Sequence, residues 1–173
     1  MNLPSRLTRP TLCACAALLL AAPAWEAPAA ARARASAIRS RALWSTINVC
    51  DTALHPRTIG IRGSMPGSGV KRERMFMRFR MQYRDARGAW RYIGPRGDSG
   101  FVFVGVATFK ARQSGRSFQV APGQSFVLRG VVIFQWRLGA RVVRRAQKRT
   151  TAGHRTGAGS DPRGYSAASC ALH

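Results

Sequence analysis

From Met75 to Arg84 the chain reads MFMRFRMQYR, with Met75, Met77, Phe79, Met81 and Tyr83 on one parity and Arg78, Arg80, Gln82 and Arg84 on the other. Apolar residues at every second position set one face of a strand on a core and turn the other to water. The methionines are therefore read as core filling. The same rhythm runs through SFVLRGVVIFQWRL, Ser125 to Leu138, where Phe126, Leu128, Val132, Phe134, Trp136 and Leu138 share a face and Gly130 marks an expected bulge.

Shorter runs rich in β-branched and aromatic residues predict further strands at Leu43–Cys50, Thr58–Ser64, Ala89–Ile93, Phe101–Ala111, Ser117–Val120, Val142–Thr151 and Tyr165–Leu172. Turn residues at Asp85–Gly88 fold Ala89–Ile93 back as a hairpin, with Trp90 and Tyr92 expected on the core face. Phe101–Ala111 is apolar on both parities at its start and is expected to be buried. Gly153–Gly164 is rich in glycine and is expected to be mobile. Roughly seven to nine strands with Gly/Pro punctuation and no convincing helix describe an all-β antiparallel sandwich.

The first residues follow a different logic. Arg6 and Arg9 precede an apolar run, Leu12–Ala22, that Pro23 ends, and small residues then offer cleavage sites at Ala29-Ala30-Ala31 or Ala31-Arg32-Ala33. That order is the signature of a secretory signal peptide over residues 1–33. The run is far shorter than the roughly twenty apolar residues a membrane-spanning helix needs, so no transmembrane segment is expected. Residues 34–41 read as a flexible basic lead-in and residues 42–173 as a single β-sandwich domain, secreted or held at the cell surface.

Export changes the reading of the cysteines. Cys13 and Cys15 leave with the leader, and the remaining pair, Cys50 and Cys170, is expected to form a disulfide tying the first strand to the last. Such a pairing differs from the inter-sheet cysteines of antibody domains.

The chain carries 29 Lys and Arg against 6 Asp and Glu, a formal charge of +23. Lysine supplies only Lys71, Lys110 and Lys148. Arginine codons are GC-rich, but so are those of aspartate and glutamate, so it is the shortage of acids that asks for a reason. Basic residues gather in Val70–Arg80 and Ala140–Thr150. Brought to one face, these segments make a field that attracts anions, and Arg78, Arg80, Arg84, Arg144, Arg145, Lys148 and Arg149 are the candidate anion-binding residues. Phe76 is the one aromatic expected among them. Base stacking is therefore unsupported, and no sequence-specific nucleic-acid binding is expected.

Catalytic chemistry finds few groups to work with. His55 and His154 are the internal histidines, and Asp51 with His55 is the one pair close in sequence. A hydrolase built on that pair is the least favoured reading, because Asp51 suits a turn role. No metal-ligand spacing, phosphate loop or nucleophile motif occurs, since PGSGVK lacks the strand–loop–helix setting. No catalytic residue, metal or cofactor is expected.

The spacing of the strands, with the tryptophan-bearing hairpin VIFQWRLGARVV, resembles an immunoglobulin-like or fibronectin-type sandwich over about Ala42 to Leu172. The segments NVCDTALHPRTIGIRGSMPG, MFMRFRMQYRD and YSAASC are similar to small uncharacterised exported proteins of high-GC bacteria. That resemblance implies export and carries no activity. The function expected is a non-enzymatic basic sandwich that binds anionic surface polymers, whether cell-wall polymer, acidic glycan, lipid headgroups or extracellular nucleic acid. The alternative is a protein-interaction or small-ligand module using the loops SMPGSG, GPRGDS, with its Arg96-Gly97-Asp98 tripeptide, and Gly153–Gly164; its protein partner is unknown.

Overall fold

The computed structural model describes residues 29–123 and 125–173. The leader expectations for residues 1–28, Cys13 and Cys15 included, lie outside them. The described residues form an all-β sandwich of two antiparallel sheets. The smaller has the order β1 (Trp44–Cys50), β2 (Thr58–Met65), β6 (Arg112–Gln119). In the larger, β3 (Arg74–Arg84) and β7 (Phe126–Leu138) run side by side at the centre. β4 (Trp90–Tyr92) and β5 (Asp98–Val106) flank β3 on one side, and β8 (Arg141–Arg149) and β9 (Cys170–Leu172) flank β7 on the other.

The core lies where the two pleats interdigitate. Ile47, Ile59, Ile61 and Met65 from the smaller sheet meet Met75, Met77, Phe79, Leu128, Phe134 and Trp136 from the larger, all buried. Each such side chain removed from water contributes on the order of 1.5–3 kcal/mol. The methionines are core filling, as their parity indicates. The indole N–H of Trp136 donates to the Pro66 carbonyl at 3.2 Å, so its one polar atom is satisfied.

Departures from the sequence reading each have a physical reason. Gly130 makes no bulge: β3 and β7 stay in step through Met81–Gly130. A Cβ at Gly130 would lie 2.7 Å from Ile61 Cγ2 and 2.8 Å from Thr150 Cγ2, so glycine is there to let the layers close. The irregularity falls instead on β8, where Val143 is the extra residue between the Trp136–Arg144 and Arg137–Val142 pairs, and Leu138 is exposed at the very end of β7. β5 is an edge strand with Phe103 and Val106 exposed, rather than a strand buried on both faces. β6 begins at Arg112, earlier than expected, because β2 supplies the pairing that its polar sequence does not announce.

Residues 34–39, expected as a flexible lead-in, belong to a helix, α1 (Ala29–Arg39), whose alanines favour helix. Ala37 is buried in the core, and Arg34 pairs with Glu73, the residue just before β3. Gly153–Gly164 is bonded to the smaller sheet at several points. The Asn48 amide donates to the Ala158 and Gly159 carbonyls at 3.3 and 2.7 Å, the Gln113 side chain bonds to the backbone of Thr156 and Ala158, and Asp161 bridges to Val49.

Cys50 and Cys170 form a disulfide with a Cα–Cα distance of 5.6 Å across 120 residues of chain. Because β1 and β9 sit in different sheets, the bridge joins the sheets as well as the terminal strands, which corrects the expected contrast with inter-sheet cysteines. Among the described residues no helix is long and apolar enough to cross a membrane.

Candidate anion-binding face

Pairing fixes which side chains stand together on the outward face of the larger sheet. Residues directly opposite on antiparallel strands share a face. Arg74 lies opposite Arg137, and Gln82 opposite Arg129. On the other side of β3, Arg78 faces Phe101, Arg80 faces Asp98, and Arg84 faces Trp90. Beyond β7, Gln135 meets Arg145 and Val131 meets Arg149. Strands are about 4.8 Å apart, so β3, β7 and β8 spread these arginines over about 10 Å.

Of the candidate residues, Arg78, Arg80, Arg84, Arg145 and Arg149 occupy this face. Arg144 and Lys148 do not: they pair with Trp136 and Val132 and so lie on the opposite side of β8. Neighbours in a strand point to opposite faces, which splits the run VVRRAQKR into two sets. Arg74, Arg129 and Arg137 belong to the face and were missed. For Arg129 and Arg137 the signal was present, as odd positions in a strand whose even positions form the core.

Aromatic side chains are more numerous here than Phe76 alone. Trp90 and Tyr92, expected in the core, are outward, because five residues rather than four connect Arg84 to Trp90. A one-residue change in register moves every side chain of a strand to the other face. Each ring is covered by a guanidinium. Arg80 lies 3.6 Å from the Tyr92 centroid, Arg129 4.2 Å from Trp90, Arg74 4.4 Å from Phe103, and Arg137 4.2 and 4.6 Å from Phe76 and Phe101. Cation–π contact of this kind holds a charge in place without neutralising it. Val131 and Ile133 point outward yet are 1% and 3% exposed. Arginine stems and rings form a lid over them.

The hydrogen bonds divide the arginines into two kinds. Arg78 reaches Asp98 with two bonds, Nε to Oδ1 at 2.7 Å and Nη2 to Oδ2 at 2.5 Å, and Arg80 Nε lies 3.1 Å from Oδ2. The bond from Arg78 holds the Asp98 carboxyl below the usual carboxylate range, and the same bond raises Arg78. Arg129 and Arg137 bond instead to neutral acceptors, Gln82 Oε1 and Gln135 Oε1, each at 2.8 Å. Desolvation first, and then repulsion from Arg149, lowers Arg129. The positive charges on β7 and β8 therefore add to one another.

Asp98 is the acid on this face, and its depressed value has a sign. The stability it lends is present above the unfolded carboxylate value, about 3.9, and is lost as pH falls through the lower folded value. Asp98→Asn is expected to cost about 1 kcal/mol at pH 7 in chemical denaturation. The variant's stability is expected to be flatter than wild type through the acid limb. An unchanged acid limb would show that Asp98 does not hold Arg78 and Arg80.

Other candidates are placed plainly. Asp51 and His55 are exposed; the Asp51 carboxylate accepts from the Arg57 backbone N–H at 2.6 Å, and no hydrogen bond joins it to His55. Asp51 closes a turn through this bond, and the His55 side chain takes no part in it. His154 stacks on Trp44 with centroids 4.7 Å apart, and burial lowers its imidazole. Among the described residues no three His, Cys, Asp or Glu gather as metal ligands. In the Arg96-Gly97-Asp98 tripeptide the aspartate is engaged by Arg78 and Arg80.

No family model matches the chain. No curated protein matches it either. Among solved structures, the chain is similar to a Pseudomonas fluorescens alkylpurine DNA glycosylase AlkC bound to DNA containing an abasic site analog, at 9% identity and a TM-score of 0.29 over 62% of this chain. The match spans 28% of that protein. Likeness at that level carries no argument, and no enzyme family is identified.

Proposed function

We propose that this chain is an exported, non-enzymatic sandwich that holds anionic surface polymers electrostatically on the outward face of its larger sheet. The observation that carries this reading is that arginines from β3, β7 and β8 share that face, with Asp98 as their acid and glutamine oxygens as the acceptors on β7. Guanidinium groups bind phosphate, sulfate and carboxylate through paired N–H donors. Here they are positioned by rings and amides while keeping their charge. The rings carry guanidinium groups on one side, and the face shows no fork of donors and acceptors aimed at a base edge, which favours a hold blind to sequence. A disulfide across 120 residues suits an oxidising compartment and fits the expected leader.

Retention on heparin and on phosphocellulose against sodium chloride tests the reading. Binding is expected to fall linearly in log–log form with salt, because counterions are released. Combined Arg129→Gln, Arg137→Gln and Arg145→Gln substitutions are expected to reduce the slope by roughly one for each anionic group of the polymer that is no longer neutralised. Equal charge removal at Lys110, Arg155 and Arg163, away from this face, serves as the comparison. Retention that ignores salt, or that falls as far in the comparison variant, would overturn the reading.

A further inference from the structure

On the far side of the molecule, the outward face of the smaller sheet is covered by the glycine-rich segment 153–164. Arg62 of β2 lies between the two. Two glycines make room for it: a Cβ at Gly159 would stand 2.8 Å from Arg62 Nη2, and one at Gly115 would stand 3.2 Å from Nε. The Asn48 amide fastens the covering segment through the Ala158 and Gly159 carbonyls and is thereby occupied. The result is a cleft of about 270 Å³ lined by Asn48, Arg62, Gly115, Arg116, Ser117 and Gly159.

The cleft contains no acid. Among the described residues Arg62 makes no ion pair, and its Nε is fully buried with no acceptor. Desolvation pulls the guanidinium below its ordinary value, with no carboxylate to offset it. A buried donor on a charged group is costly to leave unmade. Ser117 lies opposite Gly60 on the same face as Gly115, two residues along β6, and presents its hydroxyl at the exposed mouth of the cleft. Arg62 and Ser117 are thus donors around an open volume that glycine at 115 and 159 leaves unfilled beside the guanidinium.

We propose that this cleft is a second, separate binding site, for a single tetrahedral oxyanion, phosphate or sulfate, held by the Arg62 guanidinium and the Ser117 hydroxyl. It shares no residue with the arginine face of the larger sheet and does not rest on the function proposed for that face. Size and donor set favour the tetrahedral group: the volume admits it with accompanying water, and a fork of N–H donors beside an O–H serves three or four oxygens.

Calorimetric titration of the disulfide-bonded chain with inorganic phosphate, at ionic strength fixed with sodium chloride, tests the site. One saturable site is expected, with inorganic sulfate competing and acetate binding at least several-fold more weakly. Arg62→Gln is expected to lower phosphate affinity about 10- to 100-fold, the span of a charged hydrogen bond, while Lys110→Gln, an equal loss of charge on an exposed turn, leaves it unchanged. Ser117→Asp supplies a test that does not depend on removing the arginine. Wild type is expected to gain melting temperature with added phosphate; the carboxylate of the variant is expected to pair with Arg62, raise the melting temperature by itself and abolish that phosphate-dependent rise. The proposal is overturned by the absence of saturable binding, by acetate binding as tightly as phosphate, by affinity within twofold of wild type in Arg62→Gln, or by a phosphate-dependent rise that persists in Ser117→Asp. A phosphate-bearing or sulfate-bearing sugar run in parallel identifies the source: tighter binding than the free ion assigns the cleft to a glycan substituent, and equal or weaker binding assigns it to the free ion.

Discussion

Arg34→Met is expected to lower the stability of the folded chain by about 3 kcal/mol or more, since breaking one side of a buried ion pair leaves the other charge uncompensated. Glu73 has no solvent exposure, whereas Arg34 is 20% exposed. One carboxylate oxygen accepts from Arg34 Nε and the other from the Ser68 hydroxyl at 2.7 Å. The hydroxyl is a weak counterweight to a full charge. Glu73 also sits at a junction, its backbone N–H bonded to the Val70 carbonyl and its own carbonyl accepting from Ala107, so its distress is transmitted to the entrance of β3 and the exit of β5. Either cut proposed for the leader keeps Arg34 in the mature chain.

The measurement is urea denaturation of wild type, Arg34→Met, Glu73→Gln and the double variant. Replacing both charges removes the stranded carboxylate, so the double variant is expected to recover a kilocalorie or two relative to Arg34→Met. A loss below about 1 kcal/mol in Arg34→Met, or a double variant no better than the single, would show that α1 merely leans on the sandwich.

Such a pair illustrates what the sequence does and does not disclose. Arg34 and Glu73 are 39 residues apart, and nothing local links them. An alanine-rich stretch next to an expected leader has the look of a processing signal, yet the same composition makes a helix whose Ala37 joins the core. By contrast, β3 was legible because it is half-buried along its whole length, so burial and parity coincide. β7 was legible for the same reason. β6 was not: RQSGRSFQ is held as a strand by its partner β2 and not by its own preference, the usual fate of a polar edge.

The candidate face follows the same division. Arg78, Arg80 and Arg84 were readable from alternation. Arg144 and Lys148 stand with Arg145 and Arg149 only by proximity in sequence, and strict alternation already separates them. The aromatic layer was hidden, because the facing of Trp90 and Tyr92 depends on one residue of loop length and no propensity resolves that. The acceptors that leave β7 positive, Gln82 and Gln135, become visible only once the strands are in register.

Removing the Cys50–Cys170 bridge is expected to have the largest single effect on stability, about 3–5 kcal/mol. In the chain-entropy account the bridge acts on the unfolded chain, where closing a loop of more than 100 residues removes conformations worth on the order of 4–5 kcal/mol. The folded state adds a second reason. β9 is three residues long and pairs with β7 only at Phe126–Leu128, yet it buries Cys170 and Leu172. A strand this short has little hold of its own, and the sulfur link supplies it from the end of β1 in the opposite sheet.

Cys50→Ser with Cys170→Ser is therefore expected to lower the melting temperature by roughly 10 °C or more and to release the amides of residues 170–172 to fast hydrogen exchange. Reductant added to the wild type is expected to reproduce both changes and to leave the double variant unaffected. Because the arginines of β3, β7 and β8 are positioned by ladder pairing and by the Asp98, Gln82 and Gln135 contacts, heparin retention below the melting transition is expected to survive. A variant as stable as wild type would mean that β9 holds itself in place. A variant that stays folded but loses retention would tie the candidate arginine face to the bridge, through β9 and β7.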